Sequence, residues 1–184
     1  RDWSSDVCSS DLMSKVYFIK ARENNTPENI SADAATLFQI FLERENIRLG
    51  EKLPLKVHFG EEGNQTFIPP TYFNGLIDIL KNRHMETCYT ETNALYRGQR
   101  QNRSDHKKLA LAHGFTRLPV VIADGDYGDN YRQVRINGKH FESCFIGKYI
   151  ADAEQLLIIS HFKGHMLAGF GGALKQLAMG CSAR

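Results

Sequence analysis

Short apolar runs recur along this chain, separated by stretches with helical periodicity, and that alternation narrows the available folds more than any other feature. Val16-Tyr17-Phe18-Ile19, Leu55-Lys56-Val57-His58-Phe59, a weaker segment from Thr87 to Thr90, Val120-Val121-Ile122-Ala123 and Leu156-Leu157-Ile158-Ile159 read as strands. Between them, Ala34, Leu37, Phe38, Phe41 and Leu42 make an i, i+3, i+4 stripe on a helix capped by Ser31 or Asp33. Phe73, Leu76, Ile77 and Leu80 do the same on a helix opened by Pro69-Pro70, a position that suits proline because first-turn N–H groups have no helical partner. A third helix is predicted from Asp105 to His113, ended by Gly114. Strands that alternate with helices assemble into a mostly parallel sheet with helices on both faces. Val134–Ile136 and Phe141–Ile146 flank Asn137-Gly138 and predict an inserted β-hairpin, and a short helix to Ala153 precedes the Leu156 run. The expected class is therefore α/β.

The first twelve residues fit no part of this pattern. Arg1 to Leu12 has no periodicity, is followed at once by Met13-Ser14-Lys15, and resembles a translated sequencing-adapter remnant. Residues 1–12 are expected to be a non-native leader, and residues 13–184 one α/β domain that is incomplete at its C-terminus, truncated after Arg184. The leader lacks the basic and apolar regions of a signal peptide, so the cytoplasm is the expected compartment. With Cys8 set aside, Cys88, Cys144 and Cys181 are odd in number and far apart, and no C-x-x-C pair occurs. Reduced thiols fit that pattern better than a disulfide framework or a zinc site. A net charge of +2 gives no electrostatic footprint for nucleic acid. No apolar run approaches the ~20 residues of a membrane span. Neither nucleic acid nor a membrane is an expected partner.

The chemistry concentrates after the Leu156 run. Ser160 to Lys175 holds His161, Lys163, His165 and Lys175 together with Gly164, Gly169, Gly171 and Gly172. In open α/β sheets ligands bind outside the carboxyl ends of the strands, where this segment must lie. An imidazole can move a proton near neutral pH, and a lysine can hold a phosphate or attack a carbonyl. Glycines at a helix start offer backbone N–H groups to an anion. His161, His165 and Lys175 are the expected catalytic groups. Lys163, Gly169, Gly171, Gly172 and Lys175 are expected to bind a small anionic ligand or an unidentified metal or nucleotide cofactor. His58, Glu61 and Glu62 form a second cluster after a strand, with His58 and Glu61 as candidate metal ligands that should share the same sheet edge.

Two further segments invite weaker readings. Asp124-Gly125-Asp126-Tyr127-Gly128-Asp129 lacks the glycine and glutamate positions of an EF-hand, which leaves a turn with Asp124 as the one candidate ligand. Tyr96 to Arg103, followed by Lys107-Lys108, is a basic run that reads as a solvated loop, its functional use being a phosphate-bearing ligand.

His161-Phe-Lys-Gly-His-x-x-Ala-Gly-Phe-Gly-Gly-Ala-Leu-Lys-x-Leu-x-Met-Gly-Cys181 resembles the signature of a bacterial and archaeal family known as domain of unknown function 362, or iron–sulfur-center protein. Val57 to Asn64, Phe67 to Pro70, Thr92 to Gly98, Asp105-His106 and Ile122 to Gly125 agree with it. The resemblance implies a ferredoxin-like module beyond Arg184 carrying two [4Fe–4S] clusters, with no cluster cysteines in this fragment. His165-x-x-Ala-Gly-Phe-x-Gly-Gly with Lys175 is more distantly similar to lactate racemase, which implies a proton-transferring His165 and a cofactor carried on Lys175.

Three functions follow as expectations. The first is the N-terminal, ligand-binding domain of a [4Fe–4S] redox or electron-transfer protein. The second is a redox-neutral enzyme resembling the racemase. The third is a non-catalytic interaction domain, in which the histidines are idle.

Overall fold

The computed structural model describes residues 15–20 and 22–184; the expected leader, with Cys8, lies outside them. Four parallel strands form the central sheet: β1 (Leu55–Lys56), β2 (Tyr89–Glu91), β3 (Val120–Ile122) and β6 (Leu157–Ile158), in the order β3-β2-β1-β6. Leu55 lies opposite Tyr89 on one side and Leu157 on the other, while Tyr89 lies opposite Val120. The strands are short, and the bonds that pair β6 with β1 draw in flanking residues. The N–H groups of Leu157 and Ile159 donate to the carbonyls of Pro54 and Lys56 at 3.0 and 2.9 Å.

Helix α1 (Pro27–Arg44) precedes the sheet, α2 (Asn74–Asn82) connects β1 to β2, and α3 (Arg103–Ala112) connects β2 to β3. The chain then makes an antiparallel hairpin, β4 (Tyr131–Arg135) and β5 (Ser143–Gly147), and a single turn α4 (Lys148–Ala151), before β6. A second, two-residue hairpin follows, β7 (Gly164–His165) and β8 (Gly169–Phe170), and then α5 (Gly172–Ala178). Among the described residues no helix is long and apolar enough to cross a membrane.

Both faces of the sheet are covered, and strand alternation says by what. Leu55, Val57, Phe59 and Tyr89 enter the main core with Phe38 and Leu42 of α1, Leu76, Ile77 and Leu80 of α2, and Ala110 of α3. Residues of opposite parity face the other layer. The Cys88 thiol sits 3.2 Å from the Tyr149 hydroxyl, and the Thr92 hydroxyl donates to the Gly180 carbonyl at 3.1 Å. The expected α/β class with helices on both faces therefore stands.

Several local expectations need correction. Val16–Ile19 is not a strand: residues 15–20 have no regular structure, Val16 and Phe18 are exposed, and among the described residues no ladder partner lies beside them. Helix α1 begins earlier than predicted, at Pro27, because the Thr26 hydroxyl accepts the Asn29 N–H at 3.3 Å and caps it. Ser31, expected as the cap, is buried instead and accepts the Gly75 N–H at 2.7 Å, tying α1 to α2. Phe41 of the predicted stripe is exposed, while Phe38 and Leu42 are buried. The inserted hairpin turns at Lys139-His140 rather than at Asn137-Gly138, closed by Gly138 N–H to Phe141 carbonyl at 2.9 Å. Asn137 takes a positive φ of 48°, and its N–H and that of Ile136 both reach the Glu142 carbonyl. The asparagine forms a bulge beside the turn.

Phe115 is the centre of the main core: its ring meets Phe59, Phe67, Phe73 and Tyr89 at centroid distances of 4.9 to 6.3 Å. The contacts are edge-on or tilted, the arrangements that aromatic quadrupoles favour. Phe115→Ala should lower unfolding free energy by about 3–5 kcal/mol, the usual loss for a buried aromatic. Urea titration followed by circular dichroism measures it, and a loss below 1 kcal/mol would show that the cluster is not the core's anchor.

Candidate functional site

The order β3-β2-β1-β6 makes a topological switch point. The chain runs β1, β2, β3 in one direction and then returns to lay β6 against the other side of β1. Loops leaving β1 and β6 must diverge there, and the crevice they leave at the carboxyl ends is the usual ligand site of open α/β sheets. A cavity of about 510 Å³ lies there, lined by Val57 and His58 after β1, Ile159 and His161 after β6, and Thr92 to Tyr96 after β2. That volume suits a small metabolite or cofactor.

Helix α5 roofs the crevice, held by one side chain. Gln176 donates to the Lys56 carbonyl at 3.1 Å and the Ile159 carbonyl at 3.2 Å, and accepts from the Ser160 hydroxyl at 2.6 Å. It therefore satisfies the strand-end carbonyls of both β1 and β6. Gly172 lets the helix start where it does: its φ is +45°, and a Cβ there would lie 2.4 Å from the Phe170 ring.

The cavity floor is charged and dry. Lys56 Nζ lies 2.6 Å from Glu91 Oε1, with side-chain exposures of only 1% and 2%. Lys56 also donates to the Val57 carbonyl at 3.1 Å. Glu91 Oε2 lies 3.5 Å from Arg100 NH2, a salt bridge too long to be a good hydrogen bond. Arg100 is held from three sides. Its Nε donates to His106 Nε2 at 3.3 Å, its NH1 donates to the Tyr96 hydroxyl at 3.0 Å and forms a salt bridge with Glu61, and NH1 sits 3.2 Å from His58 Nε2.

Burial is the largest single influence on Glu91 and would raise its pKa, but Lys56 and Arg100 outweigh it and hold the carboxyl well below the usual range. His106 is fully buried, and that burial lowers it to about 3, Glu91 opposing and Arg100 assisting. Because His106 Nε2 accepts from Arg100, the neutral ring carries its proton on Nδ1, which has no hydrogen-bond partner among the described residues. His58 is crowded by protein but open to water on the cavity side; the crowding lowers it, Glu91 opposes, and Arg100 adds to the depression. Its Nδ1 accepts the Gly60 N–H at 2.8 Å, so the neutral ring carries its proton on Nε2, and the 3.2 Å approach of Arg100 to that nitrogen is a contact between two donors rather than a hydrogen bond.

The two clusters singled out in the sequence meet here. His58 and Glu61 line the same cavity as His161, Lys163, His165, Gly171, Gly172 and Lys175. Gly169, in β8, is outside the lining. His161 and Lys163 are exposed at the rim, while His165 and Lys175 are half-buried. The Gly171 N–H, expected to face an anion, donates instead to the Lys163 carbonyl at 2.9 Å and closes the small hairpin. His165 Nδ1 accepts the N–H groups of Leu167 and Ala168 at 3.3 and 3.2 Å. Its neutral ring, like that of His58, presents an N–H at Nε2.

Arg100 lies against both His58 and Glu61, a positive charge where a metal cation bound to those two would sit. Among the described residues no group of three or more His, Cys, Asp or Glu side chains is arranged to hold a metal ion. Asp124 is fully buried, its carboxylate accepting the Asn93 N–H and side-chain amide at 3.0 to 3.1 Å. It pins the loop after β2 and presents no surface to a cation.

A sequence profile described as a domain of unknown function (DUF362) matches residues 54–184. The chain belongs to this family. The match begins just before β1 and takes in the whole DUF362 cavity, its buried floor and its α5 roof. No curated protein and no solved structure matches the chain.

Sequence reasoning missed Lys56, Glu91, Arg100, His106 and Gln176. A signal for Lys56 was present, since a lysine sits inside an otherwise apolar strand run, where a charge must be paired, whereas Glu91 lies just past the weaker Thr87–Thr90 segment between two threonines. Nothing local marked Arg100 among its basic neighbours.

Two predictions follow from the floor. Lys56→Met leaves Glu91 short of its nearest cation and should destabilise the fold by about 3–5 kcal/mol in chemical denaturation; an unchanged midpoint would show the pair to be dispensable. The second concerns acid. A histidine whose folded pKa is depressed leaves the unfolded chain binding more protons as pH falls below about 6.5, so stability drops with falling pH through the window down to about 3. One such imidazole contributes about 1.4 kcal/mol per pH unit. Glu91 adds its own loss below the ordinary carboxylate range, because its folded pKa is also lowered. His106→Gln should flatten the dependence between pH 6 and 4.5, and an unaltered slope would assign it to other groups.

Proposed function

We propose that this domain binds a small anionic metabolite in the β1–β6 crevice, as the ligand-binding part of an iron–sulfur redox protein. The observation that supports the binding half is convergence. Lys56, Arg100, Lys163, Lys175 and Arg184 line one cavity against Glu61 and Glu91, and His58 and His165 each take backbone N–H groups on Nδ1 and are left with a donor at Nε2. A wall of donors and positive charge, with its main carboxylate neutralised underneath, suits a carboxylate or phosphate. The redox half rests on the resemblance of the His161–Cys181 motif and requires a cluster-bearing module outside this chain.

His161, His165 and Lys175 are the groups that would touch the ligand. In its present tautomer His165 serves as a neutral hydrogen-bond donor at Nε2; to act as a base or an acid it must first release Leu167 and Ala168 from Nδ1. The racemase-like reading therefore asks for a rearrangement of the β7–β8 turn, whereas anion binding does not.

Isothermal titration with inorganic phosphate, pyrophosphate and short carboxylates should detect binding to the chain. Lys175→Ala should weaken it by about 1.5–3 kcal/mol, the scale of a charge-assisted hydrogen bond. His165→Gln should leave affinity within a few-fold and, in the longer cluster-bearing protein, lower turnover. Failure of every anion to bind, or full affinity in Lys175→Ala, overturns this reading.

A further inference from the structure

The cavity floor contains two cations, Lys56 and Arg100, and one buried carboxylate in contact with them, Glu91. Glu91 sits closer to Lys56, at 2.6 Å, than to Arg100, at 3.5 Å. Asp124 is the next buried carboxylate, but it is bonded to Asn93 and to neither cation. The guanidinium therefore needs a second anion, since an uncompensated charge out of water is costly. Glu61 supplies it.

Glu61 differs from the rest of the floor. It lies in the connection between Gly60 and Gly63, both at positive φ, with no regular secondary structure, and its side chain is 32% exposed against 9% for Arg100. Its other partner is the hydroxyl of Tyr96, itself exposed on the loop after β2. Arg100, by contrast, is fixed from behind by His106 and Glu91, and its NH1 is aimed at the cavity. A fixed guanidinium facing a cavity, with its last counter-charge on a half-exposed loop, has the form of an anion site occupied by the protein's own carboxylate.

We propose that Arg100 is a second anion subsite, held by Glu61 until a ligand replaces it, and that the ligand carries two anionic groups. One is taken by the Lys163 and Lys175 side of the cavity, and the other displaces Glu61 from Arg100. The proposal rests on the anion-binding reading of the cavity and deepens it to a dianionic class. No bond is made or broken; one carboxylate is exchanged for another on the same guanidinium, so the floor keeps its charge balance.

The test is titration of the dicarboxylates from malonate to adipate, and of pyrophosphate, against acetate and phosphate as single-anion controls. At least one dianion should bind tighter than its control. Glu61→Gln keeps a hydrogen-bonding side chain but removes the competing charge, and should tighten that dianion at least tenfold. Tyr96→Phe loosens Glu61 without changing any charge and should act in the same direction, more weakly. Should Glu61→Gln melt too low to assay, Tyr96→Phe decides alone: tighter binding supports the exchange, and unchanged binding overturns it. Equal or weaker dianion affinity in folded Glu61→Gln, while Lys175→Ala still weakens phosphate, makes the Glu61–Arg100 pair structural and leaves the anion-binding function standing. No binding by any probe to wild type or variant overturns both.

Discussion

Lys56 and Glu91 stand on adjacent parallel strands with their charges sealed from water, and the rest of the site is arranged around that pair. An ion pair in such a place survives only when its remaining donors and acceptors find partners. Lys56 uses the Val57 carbonyl, while the second oxygen of Glu91 is met only by the charge of Arg100 at 3.5 Å, without a hydrogen bond among the described residues. Arg100 then needs an acceptor for Nε, which His106 provides, and acceptors for NH1, which Tyr96 and Glu61 provide. Each group explains the next. The chain of contacts leads from a closed core, where His106 meets Phe59 edge-on, to an open cavity.

The sheet order does the same work on a larger scale. Laying β6 beside β1 leaves a crevice between diverging loops, and Gln176 closes one side of it by bonding to carbonyls of both strand ends. Of the lysines and arginines that line it, Lys163, Lys175 and Arg184 come from the segment after β6, Lys56 from β1 itself and Arg100 from the loop after β2. On the proposed function these contributions act together, and a mutation that disturbs the α5 roof is expected to alter anion binding without touching the ligand.

How much of this was legible in the sequence depends on which signal carried it. The apolar runs at Leu55, Val120 and Leu156 and the stripe Phe73, Leu76, Ile77, Leu80 were readable because burial imposes their periodicity directly. The clustering of His161, Lys163, His165 and Lys175 was readable because such a density of titratable side chains at a strand end has few structural uses. The floor was harder, because pairings such as Lys56 with Glu91 and Arg100 with His106 are made by the register of β1 against β2 and by the loop path. Neither is encoded in local spacing. Val16–Ile19 shows the opposite failure: it has the right residue types for a strand, yet it joins neither β3 nor β6, the two edge strands of the sheet among the described residues. The glycines read as a helix start do lead into α5 at Gly172, but an intervening hairpin takes up the Gly171 N–H that was expected to face an anion.

The position of β6 has a consequence for assembly in time. Its partner β1 lies roughly a hundred residues earlier, the kind of long-range pairing that slows folding. As the chain leaves the ribosome, β1, β2 and β3 can associate through their neighbouring helices long before β6 is made. In the folded chain the ammonium of Lys56 ends beside Gly180, within that last segment. If β6 docks last, dehydration of the floor and completion of the pocket belong to one late event.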